Sequence, residues 1–247
     1  MSQTDDPNFA YRMQLQYDRS NEKLVVLEAL NNIIGERNFR SSLDIACGPG
    51  ELTKALSEKS DSLTLVEITE SYRELLHKKF PKAKIIIDSI DNLHFEASFD
   101  AILFSHAYYY WTESEWVNLT KRILSFLRPG ASLFLVMNSD SGDWWKMIQH
   151  FWSQFPETKT FSYRAWSLFK KQLSELGQIK TIPLRYYYKF PEEEAVEVLN
   201  ASVLAFTEPK MVQKYKKQAL DFCNNFDREN GLICMNVDCE VIELKTF

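Results

Sequence analysis

The sequence predicts an α/β protein built on a mostly parallel, doubly wound sheet. Three observations carry this prediction. Short apolar runs suited to strands alternate with segments whose apolar residues recur at helical spacing. The spacers between the first five runs are long enough for crossover helices, as parallel strands require. The first run ends in a Gly/Pro turn, Cys47-Gly48-Pro49-Gly50, after which a helical pattern restarts.

Taken in order, Asn21 to Ile34 carries Leu24, Val25, Leu27, Leu30 and Ile33 or Ile34 at helical spacing. Ser42 to Ala46 reads as the first strand and Glu51 to Leu56 as a helix. Ser62 to Glu67, Lys84 to Asp88 and Phe99 to Ser105 read as the next three strands, with a helix over Glu70 to Phe80. Glu113 to Leu127 reads as a helix stopped by Arg128-Pro129-Gly130. Ala131 to Asn138 is the fifth strand. Beyond it, Trp144 to Gln154 and Arg164 to Leu176 read as helices, and Ile179 to Tyr188 and Ile233 to Leu244 as strands. Helices over Glu192 to Phe206 and Pro209 to Phe226 interrupt that last pair. They are expected as a small insertion, residues 189–230, over the sheet edge. Residues 1–40 are expected as an N-terminal helical lid and 41–138 as the ligand-binding core of a single domain.

Composition narrows the function. The chain has 247 residues, enough for one sizeable domain, and 45% of them are hydrophobic, enough for a full α/β core. The net charge of −5 argues against nucleic acid as the main partner, since phosphate binding needs clustered Lys and Arg. No stretch approaches the ~20 apolar residues of a membrane span. Met1 to Pro7 is acidic and polar, unlike a signal peptide, so a cytoplasmic protein is expected. Cys47, Cys223, Cys234 and Cys239 form no CxxC pair and are expected as reduced thiols.

The segment Leu43-Asp44-Ile45-Ala46-Cys47-Gly48-Pro49-Gly50-Glu51 lies at the turn of the first βα unit. Glycines there let the backbone approach a ligand, and free amides at a helix start attract anionic groups. In open α/β sheets ligands lie beyond the carboxyl ends of the strands, at the switch point. A nicotinamide-binding site requires G-x-G-x-x-G, but Thr53 stands at the third glycine position. A tight turn with no ligand is the remaining alternative on this motif alone.

The same segment resembles the first motif of class I S-adenosylmethionine-dependent methyltransferases, an acidic residue followed by a Gly-rich turn. Asp44, Gly48 and Gly50 match it, and Ala46 stands where that family often has a further glycine. Three later segments extend the resemblance. Leu63-Thr64-Leu65-Val66-Glu67 ends the second strand on a carboxylate, and Asp88-Ser89 follows the third. Phe99 to His106 is similar to the fourth-strand motif, and Leu127 to Ala131 to the turn before the fifth strand. The resemblance covers Ser42 to Asn138. It implies a Rossmann-like fold with an antiparallel edge strand, S-adenosylmethionine as donor, S-adenosylhomocysteine as product and no metal. It places the methionine end against Gly48 and Gly50, in the turn that also holds Asp44 and Ala46. It places the ribose hydroxyls on Glu67, the adenine beside Asp88 and Ser89, and the donor–acceptor junction at Ser105. For Glu67 the bland alternative is a strand-end charge, and for Asp88-Ser89 a turn-forming pair.

Outside this core the chain resembles histamine N-methyltransferases. The segments that carry the resemblance are Arg19-Ser20-Asn21-Glu22, Tyr108-Tyr109-Tyr110, Ser139-Asp140-Ser141-Gly142 with Trp144-Trp145, Phe151 to Pro156, and Cys234 to Leu244. The resemblance implies a small-molecule N-methyltransferase, monomeric, acting on an amine, imidazole or other heteroaromatic. Glu22 takes the place of an amine-gripping glutamate, or else serves the helix dipole. His106 stands where that family has a glutamine and is read as an anchor or a general base. The asparagine place falls at Met235 or Asn236, with Asn236 favoured and Asp238 on the same face. Tyr108, Tyr109, Tyr110, Trp111, Trp144 and Trp145 are candidates for an aromatic pocket, and Phe9 or Tyr11 for a lid. Two alternatives stand beside this reading, a small-molecule O-methyltransferase and a non-catalytic S-adenosylmethionine binder. His77, His94 and His150 show no metal-ligand spacing.

Overall fold

The computed structural model describes residues 9–96, 98–154, 166–201 and 209–246. Their elements run α1 (Phe9–Arg19), α2 (Glu22–Ile34), β1 (Phe39–Ile45), α3 (Lys54–Ser57), β2 (Ser60–Glu67), α4 (Arg73–Lys79), β3 (Lys84–Ile87), β4 (Phe99–Ser105) and α5 (Trp116–Ser125). There follow β5 (Leu127–Ser141), α6 (Gly142–Gln154), α7 (Trp166–Leu176), β6 (Gly177–Phe190), α8 (Ala195–Leu199), α9 (Pro209–Cys223), β7 (Asp227–Glu229) and β8 (Leu232–Thr246). The sheet order is β3-β2-β1-β4-β5-β8-β6, with β7 paired to β8. The chain divides into two compact units. One takes its described residues from Met1–Val25, Ser139–Phe161 and Arg185–Asp238, the other from Val26–Asn138, Ser162–Leu184 and Cys239–Phe247.

The second unit holds the parallel strands. β1 pairs with β2 and with β4, β2 with β3, and β4 with β5, all parallel. Strands covered on both faces read as continuous apolar runs, and Leu43, Ile45, Leu65, Ile102, Phe104, Leu133 and Leu135 are all at most 1% exposed. The order turns outward in both directions from β1 and β4, which makes the gap between their carboxyl ends the switch point. The antiparallel strand expected at the edge is β8; it pairs with β5 from Ser132↔Lys245 to Asn138↔Cys239 and lies one place in, with β6 outside it.

Several boundaries differ from the expectation by two to four residues. The helix expected over Glu113 to Leu127 is α5, Trp116–Ser125, and the expected stop signal Arg128-Pro129-Gly130 belongs to β5. The strand absorbs it through a bulge: Phe99 pairs with Leu127, but Ala101 already pairs with Ser132, and Gly130 takes φ +76°. The helix expected over Glu51 to Leu56 is only α3, because residues 51–53 are turns that follow the glycine loop. Tyr108 is core. It is 1% exposed, packs edge-on against Phe104 and Phe169 at 4.8 and 4.9 Å between centroids, and bonds Thr120 through its hydroxyl at 2.6 Å.

In the first unit, the segment expected as an insertion holds α8, α9 and β7 among its described residues, with α8 packed against α9 and α1. Arg19 donates to both carboxylate oxygens of Glu194, at 2.5 and 2.7 Å. Asn230 and Gly231, at φ +51° and +82°, turn β7 into β8, the Asn-Gly pair that a tight hairpin favours.

Candidate functional site

The loop after β1 is built on three alternate departures from ordinary backbone. Ala46, Gly48 and Gly50 have φ of +56°, +55° and +82°. The two glycines differ in what lies beside them. A Cβ on Gly50 would meet Phe80 Cε2 at 2.6 Å and Leu76 Cδ2 at 3.1 Å, so this glycine lets the loop pack on α4. A Cβ on Gly48 would meet nothing within 4 Å. Open space above a left-handed glycine at a switch point is the shape a bound ligand needs.

Hydrogen bonds tie this loop to the next two strand ends. Gly48 N–H donates to Glu67 Oε2 at 2.8 Å and Cys47 N–H to Val66 O at 3.2 Å. Glu67 Oε1 accepts from Thr69 N–H at 2.9 Å, and Asp88 N–H donates to Glu67 O at 3.0 Å. Lys79 Nζ donates to Pro49 O at 2.9 Å and pairs with Glu51. Beneath the loop, Thr53 Oγ1 donates to Asp44 Oδ2 at 2.6 Å. Thr53 is therefore a buried partner of Asp44, in the place where a dinucleotide loop would have its third glycine. Burial pushes the Asp44 carboxyl up to about 7, against the bond from Thr53, and the Glu67 charge adds to the rise. Burial, with the charges of Asp44 and Glu67, also raises the Cys47 thiol, so it stays protonated and is no nucleophile.

At the end of β3, Asp88 Oδ1 accepts from Ser89 N–H and Asn92 Nδ2, both at 2.7 Å. Ser89 Oγ accepts from Asp91 N–H at 3.2 Å and caps the short turn Ile90–Asn92. At the end of β4, Ser105 is half-buried and His106 takes φ +50°. His106 N–H donates to Val136 O at 2.9 Å, and its Nδ1 shares a hydrogen bond of 3.0 Å with Tyr109 Oη. Tyr110 is 54% exposed, yet burial of its hydroxyl, with Glu67 and Tyr72 nearby, pushes the phenol up to about 12. The parallel register thus brings Asp44, Ala46, Gly48, Gly50, Glu67, Asp88, Ser89, Ser105 and His106 to one end of the sheet.

The remaining expected residues belong to the other unit. Glu22 opens α2, is 7% exposed, and accepts from Lys23 Nζ at 2.7 Å. Its backbone N–H is capped by Ser20 Oγ at 2.9 Å. On β8, Met235 is fully buried, while Asn236 and Asp238 share the half-exposed face. Asn236 donates to Asp143 Oδ2 through its backbone N–H and its Nδ2, both at 3.3 Å. Trp144 is buried, and Trp145 is half-buried. Phe9 opens α1, but its side chain lies outside the described residues; Tyr11 is 61% exposed.

Two residues named in the sequence take other roles here: Thr53 and Tyr109 are partners of Asp44 and His106. Two more went unread. Tyr72 and Ile68 flank Glu67, and Ile68 is 59% exposed, an apolar side chain directly after a strand-end acid. That adjacency is a signal the sequence does carry.

Residues 43–130 match the family model described as a methyltransferase domain. Solved structures share the fold across nearly the whole chain. The YcgJ protein of Bacillus subtilis has a TM-score of 0.63 at 15% identity, covering 90% of this chain and 98% of its own. The plantazolicin methyltransferase BpumL, solved with S-adenosylhomocysteine, has a TM-score of 0.59 at 16% identity, covering 100% and 93%. The N-methyltransferase NodS of Bradyrhizobium japonicum WM9, also solved with S-adenosylhomocysteine, has a TM-score of 0.52 at 14% identity, covering 90% and 84%. At these identities the likeness speaks for the fold. Together with the loop geometry, it shows a Rossmann-like fold shared with class I methyltransferases, within which residues 43–130 match a methyltransferase domain.

Proposed function

We propose that the protein N-methylates a small amine or heteroaromatic compound, with S-adenosylmethionine as donor. The observation that carries the reading is the open, left-handed turn at Gly48, braced by a buried Glu67, at the end of the sheet that also holds His106.

The residues present fit the donor. Glu67 gives one lone pair of each oxygen to a backbone N–H, and a carboxylate has about four acceptor positions, so both ribose hydroxyls can still be bound. Asp88 and Ser89 frame the adenine, and the exposed Ile68 gives its ring an apolar face. Gly48, Gly50 and Ala46 let the loop backbone approach the methionine end, with Asp44 beneath it. When bound, the donor supplies a methyl on a sulfonium, which carries its own leaving group. The protein then has to hold a nucleophile in line and exclude water. We assign Ser105, His106 and Tyr110 to the donor–acceptor junction, and the resemblance to histamine N-methyltransferases assigns acceptor selection to Glu22, Asn236, Trp144 and Trp145. His106, in place of a glutamine, points away from histamine itself and toward another amine or heteroaromatic. NodS, which shares the fold and is named an N-methyltransferase, supports the reading of nitrogen as the methylated atom.

The test is calorimetry with S-adenosylmethionine and S-adenosylhomocysteine, followed by turnover against a panel of amines, imidazoles and phenols read by mass spectrometry. Micromolar cofactor binding and a product methylated on nitrogen support the reading. A product methylated on oxygen replaces it with the O-methyltransferase reading. Tight cofactor binding with no turnover on any acceptor favours a binder. No cofactor binding means the Gly48 turn is structural.

A further inference from the structure

We propose that Tyr109 is a positioning residue, which sets the orientation of the His106 imidazole at the acceptor end of the sheet; this rests on the methyltransferase reading above. A non-glycine residue in the left-handed region is uncommon, and such residues cluster at functional sites. Among the described residues only three take it: Ala46, His106 and Asn230. Asn230 is explained by its hairpin turn. Ala46 and His106 end β1 and β4, the two strands on either side of the switch point. The fold thus holds strain at both lips of the crevice where a ligand belongs.

The strain at His106 is held by a defined set of bonds. Its N–H donates to Val136 O at 2.9 Å, which ties the residue to β5 just past the end of the β4 ladder. Its Nδ1 is fixed on Tyr109 Oη at 3.0 Å. Tyr109 in turn is 8% exposed, and its hydroxyl accepts from Asn138 N–H at 3.0 Å. The chain of contacts therefore runs from the backbone of β5, through a buried phenol, to one nitrogen of the imidazole. The second partner of a histidine commonly fixes both its ring plane and its tautomer. A phenol anchored on the main chain is a stiffer partner than a surface side chain. The neighbours of Tyr109 do other work: Tyr108 packs in the core and Tyr110 is half-exposed.

The experiment pairs Tyr109→Phe with His106→Gln in a double-mutant cycle, using S-adenosylmethionine and the acceptor found by the turnover panel. Tyr109→Phe keeps the ring and removes the oxygen. It is expected to move the Nδ1 signal of His106 in 15N spectra, lower kcat 10-fold or more, and leave cofactor Kd within about twofold. In the His106→Gln background the same change is expected to add little, because the residues act as a unit. Additive losses, or a shifted Nδ1 signal with unchanged kcat, overturn the positioning role. An unmoved Nδ1 signal denies the bond itself. Wild-type protein that binds cofactor but turns over nothing refutes the methyltransferase reading, and the positioning role with it, while the Nδ1 signal still reports on the anchor. If Tyr109→Phe does not fold, fluorotyrosine at position 109 serves instead. It keeps the ring and acidifies the hydroxyl, so Nδ1 and kcat must both respond.

Discussion

Two strand-to-helix junctions of this protein carry left-handed glycines, and they are built for opposite purposes. After β1, the loop at Gly48 opens onto empty space. After β5, Gly142 has φ +79°, but a Cβ there would meet the Asp238 backbone nitrogen at 3.2 Å. The second junction is filled by the protein itself. Gly142 bridges to Val237, Ser141 Oγ donates to Asp238 Oδ2 at 2.8 Å, and Asp143 takes both donors of Asn236. A glycine turn is therefore not evidence of a ligand in itself; the space its missing side chain leaves decides the matter. The largest test of the contrast is Glu67→Ala. It removes the brace of the open loop and the proposed ribose acceptor together, and should cost ~1.5–3 kcal/mol of S-adenosylmethionine binding, roughly 10- to 100-fold in Kd. Unchanged affinity by calorimetry would remove Glu67 from the ribose site.

Next in size are the glycines themselves. Gly50→Ala faces both the left-handed φ and contact with Phe80, and should lower stability by ~1–3 kcal/mol. Gly142→Ala should do the same through Asp238 while leaving cofactor affinity intact. Gly48→Ala faces only the φ cost, about 1 kcal/mol, so its main effect should fall on cofactor binding. Thermal melts beside calorimetry separate the three. Equal affinity losses at Gly48 and Gly142 would erase the distinction between open and filled junctions.

The buried acid under the open loop gives a pH-dependent test. Asp44 has a folded pKa of about 7 against 3.8 unfolded, so the native state holds its proton more tightly. That contribution is fully present below pH ~4, is lost as pH rises toward 7, and is flat above it. Asp44→Asn keeps an oxygen to accept from Thr53 and removes the titration. The variant should gain on the wild type between pH 4 and 7 and be the more stable at pH 8. A wild-type-minus-variant difference that does not change with pH would mean that Asp44 is ionised at little cost.

The open junction was legible in the sequence because its information is local. The Gly-x-Gly spacing, Asp44 before it and Glu67 at the end of the next strand all follow from one βαβ unit. The five parallel strands were legible for the same reason, as buried apolar runs between crossover helices. What was not legible depends on partners far along the chain. Tyr109 finds Asn138 across 29 residues, and Asn236 finds Asp143 across 93. Tyr108 and Tyr109 look alike in sequence, yet one packs in the core and the other anchors a histidine. The start of β5 at Leu127 was hidden because a bulge carries a Pro-Gly pair inside a strand.

The smallest expected effect lies at the filled junction, and it follows from the chemistry of Asp143. A carboxylate only accepts, so it fixes which end of the Asn236 amide it meets: Nδ2 faces Asp143 and Oδ1 faces away. Asn236 therefore offers an acceptor oxygen, which suits an N–H or ammonium group on the methyl acceptor and not a bare lone pair. Asn236→Leu should raise the acceptor KM about 3- to 10-fold, the cost of roughly one net hydrogen bond, with cofactor Kd unchanged. Asp143→Asn frees the amide to turn, and should relax the preference between acceptors that donate and those that accept. If Asn236→Leu instead weakens cofactor binding and leaves acceptor KM alone, the proposed acceptor role of Asn236 is wrong.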